Sequence, residues 1–238
     1  MKTQFLQTIF FFIIFGIAAA PFHAEGGVPH VQCPGDIDGD AIPDPNMGNG
    51  NRSNPDYDPQ VKCKHITGGD GYIKMADGRS MYIFSFSDVT GLPESEVLEA
   101  GILAANFPAP IIMLDEDDRF YLTLTNVGML MRPDLFDPHS VHWHGFPEAA
   151  SVFDGVPDAS IAVNQEASLT YFYNVEEPGT YMYHCHVEAT EHMQMGMLGN
   201  LYVRPRQNRL APGTDLNGFI HQEGYRYAYN DGDGSTYY

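Results

Sequence analysis

The sequence predicts an all-β domain, an antiparallel sandwich or barrel, over residues 70–205. Three observations predict it: short runs rich in aromatic and β-branched residues, turn residues bounding each run, and little helical periodicity. The 238 residues have room for one good domain plus appendages, and an aromatic content of 13% can fill a core.

In chain order, Lys2 precedes an apolar run at residues 9–20 that is too short to span a membrane comfortably. Residues 1–24 therefore read as a signal peptide, with cleavage after Ala20 or Ala24 and an uncleaved anchor as the alternative. Export to the periplasm, cell surface or extracellular space is expected. Residues 25–69 are dominated by Gly, Pro, Asn and Asp and read as an irregular arm. Within it Asp36-x-Asp38-Gly39-Asp40-x-x-x-Asp44 has the carboxylate spacing of a calcium loop, although Met47 stands where a bidentate acid is wanted. A solvated acidic turn is the other reading. Cys33 and Cys63 can pair as a disulfide in an oxidising compartment, which leaves Cys185 as the odd thiol.

From Gly71 onward the runs at 81–86, 120–125, 169–173, 180–184 and 198–203 read as strands, and only residues 93–105 read as a short helix. Residues 206–238 turn polar again, as a tail or as the start of a truncated second domain. Twelve Lys and Arg residues against thirty-one acids give a net charge of -19. That balance argues against nucleic acid or anionic lipid as a partner, and favours cationic or neutral small molecules.

The chemistry lies in the histidines. Six of the ten fall between positions 139 and 192, in two clusters. Side chains alternate faces along a strand, so His142 and His144 share a side that His139 does not, and His184 and His186 flank a Cys185 that points the other way. Two sites follow. One collects His139, Cys185, His192 and an axial methionine, Met197 with Met195 in reserve: two imidazoles, a thiolate and a weak thioether, the donor set of a blue copper centre. The other collects His142, His144, His184 and His186, with zinc as the plainer occupant. The backbone beside Cys185 joins the two.

The text Pro108-Ala109-Pro110-Ile111-Ile112, Val141-His142-Trp143-His144-Gly145, Asp154-Gly155-Val156-Pro157 and Gly179-Thr180-Tyr181-Met182-Tyr183-His184-Cys185-His186 resembles the multicopper oxidase family. The likeness covers residues 108–205 and implies a cupredoxin-like Greek-key β-barrel or sandwich. It also implies type 1 copper at His139, Cys185 and His192, and a type 2/type 3 trinuclear cluster at His142, His144, His184 and His186. Asp154 and Glu188 fall where the family's proton-delivering acids stand. The implied reaction is laccase-like: oxidation of a small-molecule or metal-ion electron donor and reduction of dioxygen to water.

Two departures matter. The step from Cys185 to His192 is two residues longer than the family's common spacing. The family's cluster also takes eight histidines from two domains, and this chain offers four. A second copy or a missing partner domain must supply the rest, so a homo-oligomer is expected. The competing readings are an electron-transfer cupredoxin, which needs only the type 1 set, and a copper nitrite reductase-like protein, whose class lacks a counterpart of His186.

Overall fold

In the computed structural model, which describes residues 31–48 and 52–234, two four-stranded sheets enclose one core. The signal peptide expected at 1–24 lies outside the described residues. The first sheet runs β2 (Ser80–Asp88), β1 (Val61–Lys74), β4 (Arg119–Gly128), β6 (Ser168–Asn174). The second runs β3 (Ala109–Asp115), β8 (Leu198–Arg204), β7 (Gly179–His184), β5 (His142–His144). Strands β1 and β4 pair in parallel, as do β3 and β8, and the other pairings within these sheets are antiparallel. This is the expected cupredoxin-like fold, in its sandwich form.

Period-two alternation decides which side chains meet between the sheets. Phe120, Leu122 and Leu124 of β4 and Tyr171 and Tyr173 of β6 point inward, where they join Trp143, Tyr183 and Leu201 of the other sheet. Trp143 stacks on Tyr173 with ring centroids 3.8 Å apart. Each such side chain contributes about 1.5–3 kcal/mol by leaving water. Trp143 also fixes the direction of its neighbours, because its inward turn sends His142 and His144 out of the core.

Strand β1 corrects the expected boundary at residue 70: it starts at Val61, inside the segment read as arm. Its middle is rich in glycine, which reads as loop, yet Gly68 and Gly69 lie in the ladder because neighbouring side chains occupy the space where their Cβ atoms would stand. The Cys33–Cys63 disulfide forms and ties the rest of the arm to this strand. The short helix is α1 (Glu94–Gly101), preceded by Pro93 and packed on β1 and β4. A second helix, α2 (Ala189–Met195), is not legible in the sequence and begins within the lengthened stretch between Cys185 and His192.

After β8 the chain does not trail away. A 3-10 turn at Arg206–Arg209 and a small hairpin of β9 (Asp215–Leu216) and β10 (Phe219–Ile220) lead back to the domain, where Tyr227 is buried and Asn230 bonds Glu116. Among the described residues no helix is long and apolar enough to cross a membrane.

Candidate copper centres

The ends of β7 and β5 meet with His142 opposite His184 and Trp143 opposite Tyr183. Beyond His184 the chain alternates once more. Cys185 enters the core, fully buried, while His186 remains half-buried on the outer side.

His139, Cys185 and His192 converge inside, all three fully buried, with one ligand atom of each within 4.8 Å of the others. The Cys185 Sγ lies 3.2 Å from His192 Nδ1 and 3.9 Å from His139 Nδ1. Metal–sulfur and metal–imidazole bonds of about 2.3 and 2.0 Å place the donors of one ion roughly 3.5–3.7 Å apart, so these residues fit a single metal. Met197 is buried in the same cluster. Its N–H bonds the His192 carbonyl at 2.9 Å, and its carbonyl accepts the Cys185 N–H at 3.1 Å, which binds three of the four candidate ligands to one another. Met195 is only half-buried. Ser85 of β2 donates its hydroxyl to the Gly196 carbonyl at 2.7 Å and anchors this loop to the other sheet.

Burial sets the protonation of His139 and Cys185. It holds His139 down near pKa 3, with the nearby His192 adding to the effect, so the imidazole is neutral and free to ligate. It pushes the Cys185 thiol up to about 11. A soft cation is what makes the thiolate favourable there.

Outside, His142, His144 and His184 bring ligand atoms within 4.8 Å of one another. The His186 ring stands 5.1 Å from that of His142 and is stacked 5.7 Å from that of His184. His142 Nδ1–H donates to the Asp154 carbonyl at 2.6 Å, and His184 Nδ1–H to the Cys185 carbonyl at 2.9 Å, which leaves Nε2 of both rings as the free donor atom. His184 Nε2 faces His144 Nδ1 at 3.3 Å. Burial lowers the His184 pKa, and its three histidine neighbours lower it further. Gly155 makes the Asp154 contact possible. It has φ +79°, and a Cβ there would fall 2.1 Å from the Val141 carbonyl oxygen.

The two expected acids part company. Asp154 stands beside His142, its carboxylate 3.5 Å from Nδ1. Glu188 does not join it: its carboxylate groups with Asp137 and His192 within 4.8 Å, at the inner site. The lengthened stretch is the reason, because a left-handed turn at Glu188 (φ 46°) starts α2 and carries this residue to the His192 side. Asp36, Asp38 and Asp40 do come together within 4.8 Å, but Asp44 accepts the Ile37 N–H at 2.9 Å and stands apart from that group.

Sequence reasoning missed Asp137, 3.5 Å from His192 Nε2, and Ser140, whose hydroxyl bonds the Gly155 carbonyl at 2.6 Å and receives the His186 N–H at 3.3 Å. Asp137 sits two positions before His139, which is a spacing with no meaning until the fold brings His192 to it.

Residues 91–208 match the family model described as multicopper oxidase. This domain belongs to the multicopper oxidase family. The multicopper oxidase domain is 33% identical over 125 residues to a laccase, abr2, of Aspergillus fumigatus, covering 52% of this chain and 20% of that protein. It is 30% identical over 129 residues to the multicopper oxidase MCE of Talaromyces pinophilus, covering 53% and 20%. Among solved structures, the blue copper oxidase of Nitrosomonas europaea shares 30% identity over 61% of this chain and 39% of its own, with a TM-score of 0.48. The chain thus spans about a fifth of the length of these curated relatives.

Proposed function

We propose that this chain is an exported, copper-dependent oxidase, laccase-like, that takes single electrons from a donor at one site and reduces dioxygen to water at another. The observation that supports it is the split at His184-Cys185-His186: the thiol enters a buried His2Cys set with Met197, and its two neighbours turn to an outer four-imidazole set. His139, Cys185 and His192, with Met197 beside them, would hold copper in the inner set, and that copper would supply one-electron chemistry. The chain's residues keep that set dry, hold the His139 imidazole neutral, and leave a single peptide unit between Cys185 and each of its outer neighbours, His184 and His186.

At the outer set, His142, His144, His184 and His186 are half of the ligands a trinuclear cluster takes, and a second copy or partner domain completes it. Asp154 is the acid placed to hold or hand on a proton there, since its carbonyl also orients His142. The Asp36, Asp38 and Asp40 group is a separate, structural calcium candidate.

Copper analysis, paramagnetic resonance and oxygen uptake test this reading together. A type 1 signal with further coupled copper and oxygen consumption is expected. One type 1 copper per chain with no oxygen uptake on any reductant would instead identify an electron carrier. His186→Ala should abolish oxygen reduction and keep the blue colour; loss of the colour would mean the two sites are wrongly assigned.

A further inference from the structure

Of the twelve Lys and Arg residues in this acidic chain, Arg204, Arg206, Arg209 and Arg226 all fall between positions 204 and 226. Beside them, between residues 226–229 and strands β3, β7 and β8, lies a cleft of about 330 Å³, a size suited to a small organic ligand. Met113, Tyr202, Val203, Tyr227 and Tyr229 give it apolar and aromatic walls, and no carboxylate lines it among the described residues. Met113 and Tyr229 are left 55% and 58% exposed, a large apolar area open to water. A smaller recess beside it is lined by Arg204, Arg209 and Arg226 against one acid, Asp115. These charges are unequally matched. Arg204 grips Asp115 with two bonds of 2.7 and 2.8 Å, and Arg206 and Arg209 share Asp117 at 2.6 and 2.9 Å. Arg226 forms no ion pair among the described residues; its one hydrogen bond runs from Nη1 to the Tyr225 carbonyl at 2.9 Å, so the rest of its fork is uncommitted. The segment that carries it is fixed by its neighbour. Tyr227 is buried, its N–H donates to Asn208 Oδ1 at 2.6 Å, and its hydroxyl stands 2.7 Å from His221 Nδ1.

We propose that this cleft binds a small aromatic monocarboxylate, with its ring against Met113 and Tyr229 and its carboxylate on Arg226. A guanidinium fork takes a carboxylate through two parallel hydrogen bonds, and thioether and aromatic walls favour a flat apolar body. One uncommitted cation sets the charge of the ligand. A dianionic phosphate would meet Asp115 in the adjoining recess with too little positive charge to offset both. The cleft is separate from both histidine sets. On β7 Gly179 pairs with Val203 at the cleft, whereas His184 pairs with Leu198 at the other end, five residues and about 17 Å along the strand. It also lies on the β3 side of the sheet, away from the β5 edge that carries His142 and His144. The ligand therefore binds without touching either candidate copper centre.

The test uses the copper-loaded protein and 2-naphthoate, an aromatic carboxylate with no phenol to be oxidised. Calorimetric titration should show one site per chain with a Kd below about 1 mM. The visible absorption should not move during the titration, because a carboxylate bound to copper would shift it. Arg226→Gln should weaken binding about tenfold or more, the loss of one charge-assisted contact, and the uncharged analogue 2-naphthamide should bind the parent protein more weakly by a similar factor. Tyr229→Ala should weaken binding several-fold through lost apolar contact. Both side chains are exposed, so the circular dichroism of the two variants should match that of the parent. No saturable binding, a shifted copper absorption, equal affinity for the amide, or undiminished affinity in either variant would overturn the site.

Discussion

At Gly68 the backbone of β1 passes so close to the inner site that a Cβ would lie 2.9 Å from His139 Cδ2 and 3.4 Å from Met197 Cε. Gly68→Ala must therefore displace two candidate ligands. A cost of about 1–3 kcal/mol is expected, with a changed type 1 absorption, read from denaturant midpoints and the visible spectrum. Burial has a second consequence at this scale. It holds His139 near pKa 3 and His65 near 4, so both are uncharged in the folded protein and bind a proton on unfolding below their ordinary value of 6.5. Their stabilisation is complete above about pH 6.5 and is lost as pH falls toward each folded pKa, at ~1.4 kcal/mol per pH unit for each histidine. The urea midpoint of copper-free protein should fall between pH 7 and pH 5. His65→Gln keeps a partner for Thr125, which His65 meets at 2.8 Å, and should flatten that slope. An unchanged slope would show that His65 folds as a cation.

Among the elements, those with strong period-two patterns were legible in the sequence. Strands β4, β6, β7 and β8 lie where their aromatic and β-branched runs placed them, and the alternation that separates Cys185 from His184 and His186 is the one observed. Glycine hid β1, because local composition cannot report that a distant histidine needs the space. Helix α2 is too short for a helical period to show, and its placement depends on the left-handed turn at Glu188. That turn also explains why Glu188 was expected beside the wrong histidines. The disulfide gives this scale its prediction. Cys33 and Cys63 are 30 residues apart, and removing the link frees the unfolded chain of a loop constraint worth about 3–4 kcal/mol. Replacing both by alanine should lower stability by up to that amount and open the arm to protease. The type 1 spectrum should survive, since the link lies at the start of β1 and Gly68 further along it.

For the whole molecule the decisive fact is where the outer histidines stand. Strand β5 is the last strand of its sheet, only three residues long, and it presents His142 half-buried and His144 exposed at that edge. Four imidazoles gathered at that edge, His184 buried and the other three half-buried or exposed, gain little by themselves. They gain a great deal if a second set meets them around copper, and a two-fold axis through β5 would bring His142, His144, His184 and His186 of two copies together. Copper would then tie the copies, and mass and activity should change together. Light scattering on copper-loaded protein should give a multiple of the chain mass, with oxygen uptake present, and chelation should remove the uptake and weaken the association. Joint His142→Ala and His144→Ala replacement should do the same while the type 1 signal remains. A single-chain mass that still consumes oxygen would rule out sharing between copies, whereas a single-chain mass with an intact type 1 signal and no uptake would move the missing imidazoles to a partner domain.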